Sequence, residues 1–120
     1  MIDGDADFCY LTTCGRVSGR PHEIEIWFVL EGSRVYLMAG GGTRSDWVRN
    51  LRADPDVTVR WADTTYHGTA RVMDRSDDDE ERARTLVFEK YQARYGGDLT
   101  GWRASALPVA IDLDGPAAQS

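Results

Sequence analysis

Residues 8–30 read FCYLTTCGRVSGRPHEIEIWFVL, two largely apolar runs separated by a turn that is rich in glycine and arginine. The first run, residues 8–13, is dominated by β-branched and aromatic residues, which is typical of a strand. From 22 to 30 apolar and charged residues alternate, which predicts a long strand with its even-numbered apolar side chains on one face. The stretch therefore predicts two antiparallel strands joined by the turn at residues 15–21.

The rest of the chain continues this pattern of short strands and turns. Further strands are predicted at 35–39, 57–61, 65–73 and 108–113, and helices at about 45–52 and 76–95. Five or six antiparallel strands with two or more flanking helices predict an α+β fold in which the sheet forms a small barrel. We expect one domain, residues 1–120, with disordered tails at 1–7 and 115–120.

The charge of the chain is unevenly distributed. The net charge is −6, which argues against nucleic acid as a partner because such surfaces are basic. Residues 10–52 nevertheless contain six arginines and four acidic residues, so this segment is +2 and the remainder is −8. A locally basic patch on an acidic protein suits a small anionic ligand.

The cysteines, the histidines and the N-terminus exclude several classes of protein. Cys9 and Cys14 are five positions apart in one strand, so they face opposite sides and predict no disulfide, as expected in the cytoplasm. The acidic N-terminal segment does not resemble a signal peptide, and no apolar run is long enough to predict a membrane span. With only two histidines and no third ligand at a recognisable spacing, no metal site is expected.

Two glycine-rich segments are candidates for binding an anion. The turn at 12–20 combines glycines with Arg16 and Arg20, whose guanidinium groups match phosphate or carboxylate oxygens. The segment 39–47 places three glycines between a strand and a helix, where backbone amides and Arg44 could meet a ligand. An exposed hairpin and a flexible loop remain the alternatives for the two segments.

Aromatic side chains accompany these segments. Trp27 lies on the polar face of its predicted strand, where a purely structural tryptophan is less expected. Tyr91, Tyr95 and Trp102 follow near the C-terminal turn, although Trp102 could equally belong to the core. Aromatic planes beside an anion site suit a flat ring system with a phosphorylated tail.

Residues 11–21, the pair Trp27-Phe28 and residues 47–57 together resemble the deazaflavin-dependent nitroreductase and quinone reductase family. Members are split β-barrel proteins related to the pyridoxamine phosphate oxidase-like flavoproteins. The resemblance implies an enzyme that binds the deazaflavin coenzyme F420 and passes a hydride to a quinone, an enone or a nitro compound.

The resemblance also implies which residues contact the coenzyme and the substrate. The coenzyme tail is expected at Arg16, Ser18, Gly19, Arg44, Trp47 and Asn50, the ring at Trp27, Ala39, Gly40 and Gly41, and the substrate at Tyr91 and Tyr95. No catalytic acid or base is identified.

The chain departs from the family at the end of its third predicted strand. Members with nitroreductase activity have a serine and a lysine where this chain has Gly40 and Gly41. Two alternatives stay open: an FMN-dependent oxidoreductase of the same fold, because the basic turn fits the phosphate of either coenzyme, and a non-catalytic carrier of F420, which the loss of the serine and the lysine favours. Split barrels often pair through the sheet, so a homodimer is expected.

Overall fold

The computed structural model describes residues 6–116, which form seven strands, three α-helices and one 3-10 turn. The strands are β1 Cys9–Cys14, β2 Pro21–Ile26, β3 Val29–Glu31, β4 Arg34–Ala39, β5 Asp56–Trp61, β6 Thr64–Val72 and β7 Leu107–Pro116. The helices are α1 Asp46–Ala53, α2 Glu80–Gln92 and α3 Thr100–Ser105, and the 3-10 turn is Gly42–Arg44.

All seven strands belong to one antiparallel sheet, in the order β2-β1-β5-β6-β7-β4-β3. β2 and β3 lie at opposite edges of this sheet, yet only Trp27 and Phe28 connect them. Two residues span no more than about 7 Å, so the two edges must lie close together and the sheet must curl. The expected split barrel with flanking helices is confirmed.

The long strand predicted at 22–30 is in fact two strands, because the pairing changes partner in its middle. β2 pairs with β1 as far as Ile26, and β3 pairs with β4 from Val29 onward. Between them, the Phe28 N–H donates to the Tyr91 hydroxyl oxygen at 2.9 Å, and that hydroxyl lies 3.0 Å from the Phe28 carbonyl oxygen. A tyrosine of α2 thus takes the backbone groups that a continuous strand would have paired.

The predicted alternation of residues 22–30 holds on both sides of this break. The even-numbered apolar side chains pack in a core inside the curl, where Phe28 is fully buried. Trp27 and Val29 face a second core, which lies between the sheet and α2. α2 contributes the predicted face to that core: Ala83, Leu86, Val87 and Tyr91.

Two predicted boundaries are wrong, and one helix was not predicted. The second helix begins at Glu80 rather than near 76, because the Asp77 carboxylate accepts hydrogen bonds from Arg71 and from the Asp74 amide and so shapes a turn. α3 was not expected at all. Pro116 was placed in a disordered tail, but β7 continues to it beside β6.

The N-terminal boundary also differs from the expectation within the described residues. Ala6 and Asp7 were assigned to a disordered tail, but the Ala6 carbonyl accepts a hydrogen bond from Lys90 and the Asp7 carboxylate pairs with Arg94. The rest of the tails expected to be disordered, 1–5 and 117–120, lies outside the described residues.

We expect Tyr91→Phe to destabilise the protein by about 1–3 kcal/mol, because it leaves the buried Phe28 N–H without its acceptor. Urea unfolding followed by fluorescence measures this change. Tyr95→Phe is the matched control, since Tyr95 is half exposed and its hydroxyl bonds to none of the described residues. Equal stability losses in the two variants would contradict the assigned role of Tyr91.

Candidate functional site

The glycine- and arginine-rich turn between β1 and β2 is a closed loop. The Gly15 amide donates to the Arg20 carbonyl and the Gly19 amide donates to the Gly15 carbonyl, both at 2.8 Å. Gly19 has a φ of +71°, a conformation that side-chain-bearing residues rarely adopt. The Ser18 hydroxyl accepts a hydrogen bond from the Arg20 amide at 3.1 Å. The turn is therefore a built structure rather than a slack connection.

A buried asparagine of α1 joins this turn to the helix. Asn50 is 3% exposed, and its Oδ1 accepts from the Arg16 guanidinium at 2.8 Å and from the Arg16 amide at 3.2 Å. Its Nδ2 donates to the Thr13 hydroxyl at 3.1 Å. Two predicted coenzyme-tail residues, Arg16 and Asn50, are thus brought into direct contact.

The Arg16 guanidinium contacts Asp46 as well as Asn50. The Arg16 guanidinium lies 3.3 Å from the Asp46 carboxylate, which is largely exposed at the first position of α1. Together they line a cavity of about 260 Å³ with Gly15, Val17, Ser18, His22 and Asn50. An anion that enters this cavity meets Arg16 but must compete with Asp46 for it. We name this cavity the turn cavity.

A larger and more apolar cavity lies where β2 gives way to β3. Its volume is about 570 Å³, and it is lined by Phe8, Glu25, Ile26, Trp27, Met38, Tyr95, Leu99 and Trp102. Four of these eight residues are aromatic and only Glu25 is charged. We name it the aromatic cavity; its size and apolar lining are those of a small-molecule site.

Trp27 is the centre of the aromatic group. Its ring stacks on Tyr91 with centroids 4.4 Å apart and planes inclined by 4°. Tyr95 and Trp102 meet it edge-on, at 5.8 and 5.6 Å. Because Tyr91 covers one face of the indole, a ligand can reach only its other face and its edges.

The two predicted substrate tyrosines differ in their environment. Tyr91 is 2% exposed, and its hydroxyl lies within hydrogen-bond distance of the Phe28 backbone and the Asp7 carbonyl. Burial raises the pKa of Tyr91 to about 12, so the hydroxyl stays protonated at neutral pH. Tyr95 is 51% exposed and lines the aromatic cavity. Of the two, only Tyr95 has a hydroxyl that is not used to hold the fold.

The segment after β4 connects the two cavities. Met38, near the end of β4, lines the aromatic cavity, and a Cβ added at Gly40 would lie 3.4 Å from the Trp102 indole nitrogen. A Cβ at Gly41 would lie 2.7 Å from the Ser45 hydroxyl, so a side chain at this position would require the Ser45 hydroxyl to rotate away. Arg44 follows and is exposed; its amide donates to the Gly41 carbonyl at 3.2 Å, and its guanidinium has no partner among residues 6–116.

Strand β2 lines both cavities. His22 lines the turn cavity and Glu25 lines the aromatic cavity, three residues or roughly 10 Å farther along the strand. The predicted anion-binding turn and the predicted ring-binding residues are therefore neighbours in space.

Seven of the twelve predicted ligand-binding residues line neither cavity: Gly19, Ala39, Gly40, Gly41, Arg44, Trp47 and Tyr91. Ala39 is 2% exposed at the end of β4, and Trp47 is half-buried and packs against the core inside the curl. Residues that line the aromatic cavity without having been predicted are Phe8, Glu25, Ile26, Met38 and Leu99. The spacing of apolar residues marked some of these as strand residues but gave no sign that they meet at a cavity.

α2 holds α3, and with it Trp102, against the cavity. The Arg84 guanidinium donates to the Arg103 carbonyl and to the Glu80 carboxylate, and all but a few per cent of the Arg84 surface is buried. Arg103 in turn donates to Glu81 and to the Thr85 hydroxyl. The hydrogen bond from the Arg103 guanidinium lowers the pKa of the Glu81 carboxyl.

Other chemistry finds little support within residues 6–116. No group of three or more histidine, cysteine or acidic residues there is arranged to hold a metal ion. Both cysteines are free, and burial raises the pKa of the Cys9 thiol to about 12, which disfavours a nucleophilic role. No helix in the described part of the chain is long and apolar enough to cross a membrane.

Comparisons with known proteins agree with this architecture. Over 97 residues the chain is 29% identical to an F420H(2)-dependent quinone reductase of Mycobacterium tuberculosis, an alignment that covers 78% of this chain and 65% of that protein. The chain thus spans slightly less than two thirds of this relative's length.

Solved structures share the fold. A structure of an F420-H2 dependent reductase has a TM-score of 0.65 at 23% identity, with 90% of this chain and 94% of that chain covered. A conserved hypothetical protein from Mycobacterium tuberculosis has a TM-score of 0.70 at 21% identity, covering 92% of this chain and 75% of that chain. The family model described as F420H(2)-dependent quinone reductase matches residues 3–114, and the chain belongs to this family.

Proposed function

We propose that the protein binds the reduced deazaflavin coenzyme F420 and uses it to reduce a small organic acceptor, a quinone, an enone or a nitro compound. One observation carries this proposal. The turn cavity with Arg16 and the aromatic cavity around Trp27 share one strand, in a chain that belongs to the F420H(2)-dependent quinone reductase family.

The residues present fit a coenzyme with a flat ring and an anionic tail. A volume of about 570 Å³ with an apolar, aromatic lining suits a tricyclic ring; Trp27 lies in its wall and Gly40 lies against Trp102 of that wall. For the tail, Arg16 and Arg44 supply guanidinium donors. Asn50 would act by holding Arg16 in place, and Ser18 and Gly19 by shaping the turn.

The part that remains for this chain is binding and positioning. When bound, the reduced coenzyme supplies a hydride, and a quinone that accepts it takes up a proton from solvent to become the hydroquinone. The aromatic walls exclude water from the reacting groups, and Trp27, fixed by Tyr91, orients the ring. No acid or base of the protein is required for this step.

Two features remain predictions beside this proposal. A homodimer and a cytoplasmic location both follow from the sequence argument. The family match favours F420 over FMN as the coenzyme. A non-catalytic carrier of F420 would bind the coenzyme but reduce nothing.

Fluorescence titration separates these functions, because Trp27 and Trp102 line the proposed ring site. We expect quenching by F420, little quenching by FMN, and oxidation of reduced F420 when menadione is added. Quenching by FMN alone would indicate an FMN-dependent oxidoreductase of the same fold. Binding of F420 without turnover of any acceptor would indicate a carrier. Binding of neither would refute the proposal.

We expect Arg16→Ala and Arg44→Ala each to weaken F420 binding by about 1–3 kcal/mol, the range for hydrogen bonds to charged groups. Arg75→Ala is the matched control, since Arg75 is exposed in the segment between β6 and α2 and lines none of the cavities described. Unchanged affinity in both test variants would show that the coenzyme tail does not bind at these arginines.

We expect Asp46→Asn to strengthen F420 binding, because it removes the carboxylate that competes for the Arg16 guanidinium. The gain should shrink as salt is added, since screening weakens the competition between exposed charges. The double variant Arg16→Ala/Asp46→Asn should show little of this gain. An equal gain with and without Arg16 would contradict the competition.

A further inference from the structure

The aromatic cavity has a charge that the proposed function does not explain. Among its described lining residues the only charged side chain is Glu25. Its carboxylate accepts a hydrogen bond from the neutral Tyr10 hydroxyl at 2.9 Å and has no cation of residues 6–116 within ion-pair distance. The cavity thus carries one uncompensated negative charge at the end of β2.

Nearby cations are already paired elsewhere. Arg60 lies over the Tyr10 ring and 3.6 Å from the Glu23 carboxylate. Arg94 lines a smaller neighbouring cavity, where it pairs with Asp7 at 2.6 Å. Neither arginine is therefore placed to neutralise Glu25.

The aromatic walls add to this preference. Phe8, Trp27, Tyr95 and Trp102 line the same cavity, and Phe8 and Tyr95 are about half exposed at its mouth. The face of an aromatic ring attracts cations through its quadrupole, most strongly when the ring is that of tryptophan. A carboxylate among such rings is the arrangement that binds a positively charged organic group and repels an anion.

We propose that this cavity selects its ligand by charge: it accepts planar aromatic acceptors that are neutral or cationic and discriminates against anionic ones, with Glu25 as the specificity-determining residue. As a statement about the hydride acceptor, the proposal rests on the proposed function. As a statement about binding, it can be tested without the coenzyme.

β2 supplies a matched pair of variants for the test. Glu23 and Glu25 lie two residues apart on the same exposed face of β2, but Glu23 pairs with Arg60 and lines none of the cavities described. Glu25→Gln and Glu23→Gln therefore make the same chemical change inside and outside the cavity. Because Glu25 lines the cavity proposed for the coenzyme ring, the F420 affinity of both variants is measured beside the probe affinities, so that an effect on the coenzyme is recognised.

The first measurement is binding of two probes, phenyltrimethylammonium and benzenesulfonate, followed by tryptophan fluorescence. We expect the unaltered protein to prefer the cation, and Glu25→Gln to reduce that preference up to about fivefold, the scale of an exposed ion pair. Glu23→Gln should leave the preference unchanged. A protein that binds both probes equally, or two variants that change the preference alike, would overturn the proposal.

The second measurement is turnover of two quinones by reduced F420, neutral menadione and anionic 1,4-naphthoquinone-2-sulfonate. We expect kcat/KM to be higher for menadione than for the sulfonate. Glu25→Gln should reduce this ratio by lowering the KM of the sulfonate. An unchanged ratio in Glu25→Gln would overturn the role of Glu25 in acceptor choice. Absence of turnover for both quinones would contradict a quinone as the acceptor of the proposed function, whereas the probe titration would still decide the charge preference.

Discussion

The hydrogen bonding between the Tyr91 hydroxyl and the Phe28 backbone holds together two sheet edges that no strand pairing closes. β2 and β3 lie at opposite ends of the strand order and are joined by two residues. A sharp passage between strands would leave the backbone groups of Phe28 buried and unpaired, which is costly. The phenol oxygen accepts from the Phe28 N–H, and the Lys90 ammonium of the same helix donates to the Phe28 carbonyl at 2.8 Å, so the sheet can curl around one core and expose its outer face to a second.

The position of the site follows from the same closure. Trp27 precedes the pinned residue and stacks on the tyrosine that pins it, so the centre of the aromatic cavity is fixed by the contact that closes the sheet. β2 then leads back to the turn cavity, where Asn50 ties the turn to α1. α2 positions two parts of the aromatic cavity: Tyr91 holds the connection between β2 and β3, and Arg84 holds α3.

Sequence patterns predicted the features that depend on neighbours along the chain. The alternation of 22–30, the closed turn before it and the helix after the three glycines were all recoverable from local spacing and turn chemistry. The break at Phe28 was not, because its cause is a hydroxyl 63 residues away. For the same reason the sequence indicated Arg16 and Asn50 as site residues but not the shared contact with Asp46.

The contact between Phe28 and Tyr91 also has a consequence for how the chain reaches its native state. Contacts between residues so far apart in sequence form slowly, because loop-closure entropy must be overcome before they stabilise anything. Since the Trp27 ring stacks on the tyrosine that makes this contact, the aromatic cavity can be complete only once residues 63 positions apart in the chain have met.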